Sequence, residues 1–302
     1  AWRIKDFNAV FGDVGGGAEG TLETRGDWPL NLNVDVSLPS PDAEKQWLLD
    51  LNLAGSAHDL RIQGESSGYL DASLNGVTRP FEPGLSAKAH VTSDAFTPSA
   101  ALPDTLTIKQ WVLDLDGSLD DGFEVESQAE LPGTTGAVPV NLTGHVTTER
   151  ATGIELSLTG PDSTASSPQT VTANADVAWA DGFNVDGSLK LVAFPWHVLI
   201  PDVAPPPVTL KTLNGDFSYD GNAYSVSVSG DAGGPAGDTR FAAKADGDAE
   251  QVRVSDIEID TGGGGLSGEA TIDYATTVRW DAAVKLEQFD PSFWMPEFFF
   301  FF

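Results

Sequence analysis

The chain contains no cysteine. That excludes thiol catalysis, disulfides and cysteine-based metal sites. Bases are scarce: 16 Lys and Arg stand against 45 Asp and Glu, a formal net charge of -29. Such a chain has no positive field to displace phosphate counterions, so nucleic acid is excluded as a partner. Charge-driven adhesion to an anionic membrane face is disfavoured for the same reason. No apolar run reaches the roughly 18 residues of a membrane-spanning helix. No signal-peptide pattern opens the sequence. The text starts inside a strand-like segment, Ala1-Trp2-Arg3-Ile4-Lys5, without an initiator Met. It reads as a piece of a longer protein whose targeting or membrane segment lies outside it. Helical periodicity is also missing; the nearest approach is the short segment Asp42–Leu49.

What is present is strict alternation. Leu30, Leu32, Val34, Val36 and Leu38 alternate with Asn31, Asn33, Asp35 and Ser37. Leu49, Leu51 and Leu53 repeat the pattern, as do Leu113 and Leu115, Ile154 to Leu158, Val171 to Trp179, Tyr224 to Val228, Ile257 and Ile259, and Trp280 to Leu286. A period of two sends one set of side chains to each face of a strand. Each strand therefore has one apolar and one wet face, as in antiparallel sheets. Between the runs stand Asn75-Gly76, Asp116-Gly117, Asp181-Gly182, Asp186-Gly187, Asn214-Gly215, Asp220-Gly221 and Asp246-Gly247, all readable as tight turns. Pro201–Pro207 and the polar stretch Asp162–Gln169 read as connectors, and Gly233–Gly237 and Gly262–Gly265 as breaks.

A longer echo overlies the alternation. Phe7-Asn8-Ala9-Val10-Phe11, Phe96-Thr97-Pro98-Ser99, Phe194-Pro195-Trp196 and Phe289-Asp290-Pro291-Ser292-Phe293-Trp294 recur roughly 90 to 100 residues apart. Long-range repetition of this kind marks stacked arrays rather than compact enzymes. The expected fold is all-β: an elongated, repetitive sheet curled into a hydrophobic trough, an open groove akin to an unclosed β-helix. Residues 1–302 form one continuous array with soft units at about 7–95, 96–193 and 194–288. About twenty short strands stacked at about 4.8 Å would extend on the order of 100 Å.

Motifs that carry chemistry dissolve on inspection. Gly64-Glu65-Ser66-Ser67-Gly68 matches a nucleophile elbow, but an elbow leads into a helix. Strand-like text follows here, so the segment reads as a turn. Gly263–Gly268 contains the spacing of a dinucleotide fingerprint, yet alternating strand text again replaces the required helix. His58, His90, His145 and His197 share no ligand spacing. Asp114, Asp116, Asp120 and Asp121 do not follow a Ca²⁺-loop pattern. Asn141-Leu142-Thr143 is a glycosylation triplet, meaningful only in a eukaryotic secreted chain. No catalytic residue, metal ligand or cofactor is assigned.

The apolar face remains. Two readings stay open: a packed core, or an uncovered trough that holds an apolar guest. In the trough reading Leu32, Val34, Val36, Leu51, Leu113, Leu115, Ile154, Leu156, Val226, Val228, Ile257, Ile259, Val284 and Leu286 line the groove. A lipid tail suits such a lining, since each buried CH₂ contributes about 0.8 kcal/mol without directional demand.

The chain resembles the TamB family, within the wider AsmA-like group of envelope proteins. The segment Val278–Glu297 carries the likeness most clearly, a Trp-led strand at Trp280 followed by Phe289-Asp290-Pro291 and Trp294-Met295-Pro296-Glu297. Ala1–Phe11, Val252–Tyr274 and Phe194-Pro195-Trp196 add to it. The resemblance implies a periplasmic β-trough tethered to the inner membrane by a segment outside this chain. It implies phospholipid as cargo between the inner and outer membranes and a TamA-type outer-membrane barrel as partner. It also implies a non-enzymatic role. An alternative is a chaperone-like module for outer-membrane protein or autotransporter assembly, and another is a structural spacer. Phe298–Phe302, five consecutive phenylalanines, departs from the family pattern and carries no functional reading.

Overall fold

The computed structural model describes residues 2–42, 45–99, 101–201, 208–234, 237–261, 263–275 and 277–288. Phe298–Phe302 and the Phe289–Trp294 echo lie outside these residues, as do residues 202–207 of the Pro-rich connector. The chain divides into two compact units, Ala1–Thr148 and Glu149–Phe302.

The first unit holds β1 (Trp2–Phe11), β2 (Val14–Leu22), β3 (Pro29–Leu38), β4 (Trp47–Ser56), β5 (Asp59–Gly68), β6 (Ala72–Arg79), β7 (Ser86–Phe96), β8 (Ile108–Ser118), β9 (Gly122–Leu131) and β10 (Val138–Val146). The second holds β11 (Arg150–Thr159), β12 (Thr170–Ala178), β13 (Asn184–Val192), β14 (Thr209–Tyr219), β15 (Tyr224–Gly234), β16 (Gly237–Gly247), β17 (Gln251–Asp260), β18 (Gly265–Asp273) and β19 (Arg279–Glu287). Two short 3₁₀ turns, Asp104–Leu106 and Trp196–Leu199, sit in the longer connectors.

The protein is all-β. In each unit every strand pairs antiparallel with its neighbour in sequence. Among the described residues no pairing returns from the last strand of a unit to its first, and neither sheet closes into a barrel. Alternation dictates this arrangement: a period of two needs one covered and one wet face, and hairpin turns supply antiparallel neighbours. Bulges interrupt the register in β1, β8, β11, β14 and β17. Each bends its strand and raises the local twist, so the sheets curl instead of lying flat. In β17 the bulge between Val254 and Ile257 returns Ile257 and Ile259 to the face that Val252 and Val254 occupy. Asp256 takes the left-handed conformation there, φ 51°.

Several local readings need correction. Gly64–Gly68 is the end of β5, not a turn. The turn falls instead at Tyr69–Asp71, before β6. Asn75-Gly76, Asp116-Gly117, Asp186-Gly187 and Asn214-Gly215 lie within β6, β8, β13 and β14. There the polar residue faces water and the glycine faces the apolar side, so period-two text imitates a turn dipeptide. Asp181-Gly182 and Asp220-Gly221 do occupy hairpin turns, and Asp246-Gly247 closes β16.

Candidate functional site: the apolar sheet faces

The inward positions of the first unit fall into rows that cross the strands. One runs Gly20, Leu32, Leu53, Ile62, Gly76, Ala89, Leu115, Val125 and Gly144, one residue from each strand β2 to β10. The next runs Ala18, Val34, Leu51, Gly64, Leu74, Val91, Leu113, Ser127 and Leu142. Large and small residues trade places along each row. The Leu51 side chain lies over Gly64, where an added Cβ would collide with it.

The second unit repeats the device. One row reads Ile154, Ala175, Gly187, Phe217, Val226, Ala245, Val254, Ala270 and Ala282. Leu156, Ala173, Leu189, Gly215, Val228 and Ala243 begin the next. Gly268, flanked by Ile257 and Val284, stands in the same row beyond the β17 bulge. Ile259, Leu266 and Leu286 close a third.

The degree of burial decides what these faces are. Leu32, Val34, Val36, Leu51, Leu113, Leu115, Ile154, Leu156, Val226, Val228, Ile257 and Ile259 are all half-buried. Val284 and Leu286, on the last described strand, are 55% and 56% exposed. Among the described residues the buried large apolar side chains are Val138, Val198, Phe194, Leu191 and Leu60, none of them among these candidates. A packed core would bury its Leu, Val and Ile fully. Here the residues of the rows keep part of their surface open.

The opposite faces are wet. Asp35, Asp50, Glu155 and Glu258 are exposed, each between two apolar-face residues. Asn52 donates to Asn33 across strands at 3.0 Å. His90 pairs with Asp114 and Lys88 with Asp116, while His145 pairs with Glu124. Thus two carboxylates of the acidic set are tied to cross-strand bases, and Asp121 bonds to Ser118. The remaining histidines stack: His58 on Phe81 and His197 against Trp196. Among the described residues no group of His, Asp and Glu converges as metal ligands would. Shallow hollows of about 330 to 590 Å³ lie over these polar faces, between side chains such as Asp35, Asp50 and Glu65. They are open gaps between long polar side chains.

The rims finish each face. In the first unit, the rim where odd-numbered strands end carries a repeated clamp. Trp47 Nε1 donates to Ser66 Oγ at 2.9 Å, and Trp111 Nε1 donates to Ser127 Oγ at 2.9 Å. Each indole packs at a steep angle against a second ring, Tyr69 and Phe96 respectively, with centroids 5.4 Å apart. Ser66, the centre of the elbow-like sequence, also donates to the Leu70 carbonyl. It is a structural link. In the second unit, Phe194 and Val198 of the β13–β14 connector are buried close to Leu191 in sequence. Phe96 and Phe194, both members of the sequence echo, therefore mark strand ends that open the two long connectors.

The rim where even-numbered strands end is aromatic and acidic. In the first unit Trp28 and His58 each approach Phe81 from neighbouring hairpins, and Phe81 is 63% exposed. In the second unit Phe183 approaches Tyr219, centroids 6.2 Å apart, and Tyr224 OH lies 3.4 Å from Tyr274 OH. The bond to Tyr224 pushes the Tyr274 phenol up to about 12. This rim does not show in the alternation of the strands. Its signal is an aromatic beside an acid at three of the turns: Asp27-Trp28, Phe81-Glu82 and Tyr219-Asp220.

A family model described as TamB, N-terminal domain, matches residues 2–205 and 196–299. The chain belongs to the TamB family. No curated protein and no solved structure matches it. TamB proteins are cell-envelope proteins of transport and assembly, and this chain is a TamB-like envelope protein. Among its described residues no helix is long and apolar enough to cross a membrane.

Proposed function

We propose that the apolar faces of this TamB chain hold phospholipid acyl chains. The chain acts as a periplasmic segment that carries them between the inner and outer membranes. A TamA-type barrel is its partner through the full-length protein. One observation carries the reading: the inward rows are apolar, set large side chains among small ones, and are only half-buried. A spacer would fill those positions with small residues and bury them completely. Leu32, Leu53, Ile62 and Leu115 in a single row do neither. An acyl chain supplies the missing layer, at about 0.8 kcal/mol for each CH₂ taken from water. It makes no directional demand, so adjacent rows offer nearly equal sites and a chain can shift from one to the next.

Photo-crosslinkers placed residue by residue test this in cells. Probes at Val34, Leu51, Leu113, Leu156, Val226 and Ile257 should capture lipid. Probes at Asp35, Asp50, Glu155 and Glu258 should not. Equal labelling of both sets would defeat the proposal.

A further inference from the structure

β19 pairs with β18 on one side, and among the described residues nothing pairs with its other edge. All nine residues of β19 are exposed, Trp280 by 76%. The register with β18 runs unbroken from Arg279 to Glu287, and the strand holds neither Gly nor Pro. A regular edge of this kind presents a row of unpaired N–H and C=O groups, a template for a further strand. β1, the outer strand of the first unit, is guarded. A bulge between Ile4 and Phe7 interrupts it, and Arg3 and Lys5 set like charges along it.

The charges of β19 change sign about its central residue, Ala283. Its wet face reads Arg279, Asp281, Ala283, Lys285, Glu287. A second copy laid antiparallel along the edge, with Ala283 opposite Ala283, sets Arg279 opposite Glu287 and Asp281 opposite Lys285. Each pair occurs twice by symmetry, so every charge of the two strands meets its opposite. Directly opposed residues of an antiparallel pair share a face. The apolar set therefore meets in the same register, Trp280 opposite Leu286 and Ala282 opposite Val284. A slip of two residues one way sets Arg279 opposite Lys285. A slip of two the other way sets Asp281 opposite Glu287. Like charges directly opposed are destabilising, so the register is singled out. Lys285 and Glu287 form an ion pair along the strand at 2.5 Å, and both side chains stay open to a further partner.

We infer that the free edge of β19 recognises a second copy of this chain, the two strands pairing antiparallel about a two-fold axis at Ala283. Main-chain hydrogen bonds join the edges, and the side-chain pairs set partner and register. The contact is isologous and closes at two copies, because it uses the free edge of each β19. It also carries the inward rows of one copy on to those of the other, since Ala282 and Leu286 belong to those rows. The inference goes beyond the acyl-chain reading and needs no lipid. The competing occupant of the edge is a strand from chain beyond residue 288.

Charge reversal tests partner and register together. Arg279→Glu with Lys285→Glu makes every charge of the strand negative. Asp281→Lys with Glu287→Lys makes every charge positive. Sedimentation velocity of the whole chain, free of lipid, is read in about 0.15 M salt, where a Debye length of about 8 Å screens the net charge of -29 but not ion pairs in contact. The wild type should form dimers that dissociate on dilution. Each double variant alone should self-associate at least about tenfold more weakly, with an unchanged circular dichroism spectrum. An equimolar mixture of the two variants should restore the dimer, since every opposed pair again joins opposite charges. Ala283→Lys, a single change at an exposed position, sets two lysines face to face on the axis. It should weaken the dimer too, and it replaces a double variant that does not fold. A wild type that stays monomeric, as when chain beyond residue 288 covers the edge, would overturn the inference. Undiminished dimers in a reversed variant, or assemblies larger than two, would place association on another surface and overturn it equally. Folded variants that do not pair when mixed would overturn the register.

Discussion

The ring of Phe217 lies over Gly187, its partner across β13 and β14. A Cβ at Gly187 would fall 2.6 Å from the Asn174 carbonyl oxygen and collide with the ring. The glycine thus sits under a side chain that lines the apolar face. Gly187→Ala should lower stability by about 1 to 3 kcal/mol through overpacking, read as a fall in the urea midpoint. Gly15→Ala is the control, because an added Cβ there meets nothing within 4 Å, and its midpoint should not fall.

The two indole clamps make a second prediction. Trp47→Phe and Trp111→Phe keep a ring against Tyr69 and Phe96 but delete the donor to Ser66 or Ser127. Each should cost about 1 kcal/mol. Thermal melts of the two single variants should shift by similar amounts, and a shift in neither would show that the bonds are not formed in solution.

Much of this was legible in the sequence. The run Leu30 to Leu38 became β3 with its inward and outward sets as written, because a half-covered strand requires them. Gly187, by contrast, looked like the second residue of an Asp-Gly turn. Only its cross-strand partner reveals why it is glycine, and a partner 30 residues away is not a local signal. The parity of β17 was misleading for a similar reason. Val254 and Ile257 share a face through a bulge at Asp256, which simple alternation cannot anticipate. The shared apolar face of each strand was readable from alternation alone. The rim was not, because Phe183 and Tyr219, like Tyr224 and Tyr274, are far apart in the text and meet only when hairpins align.

A charge on the apolar face should separate an uncovered groove from a packed core. Leu156 and Val226 are half-buried, so a carboxylate there retains part of its water and does not meet the full penalty of burial. Leu156→Asp and Val226→Asp should leave the thermal transition within a few degrees of wild type while bound lipid is lost. A collapse of the transition in both variants would favour a packed core.

Acid should loosen the turns that hold Asp220 and Asp248. Backbone N–H bonds lower both carboxyls from an ordinary 3.8. A group with a depressed folded pKa contributes stability above its unfolded value and loses it as pH falls through the folded value. The contribution is thus complete above about pH 4 and declines below it. Urea midpoints of the wild type and of Asp220→Asn with Asp248→Asn, compared from pH 6 to pH 3, should converge at the acid end. Parallel curves would contradict the assignment.

Native mass spectrometry of the chain purified from cell envelopes tests acyl-chain binding most directly. Retained phospholipid should appear as mass additions to the intact protein, and the Leu156→Asp and Val226→Asp variants should lack them. A wild-type chain that is folded, free of lipid, and still free of it after exposure to phospholipid vesicles would contradict the groove.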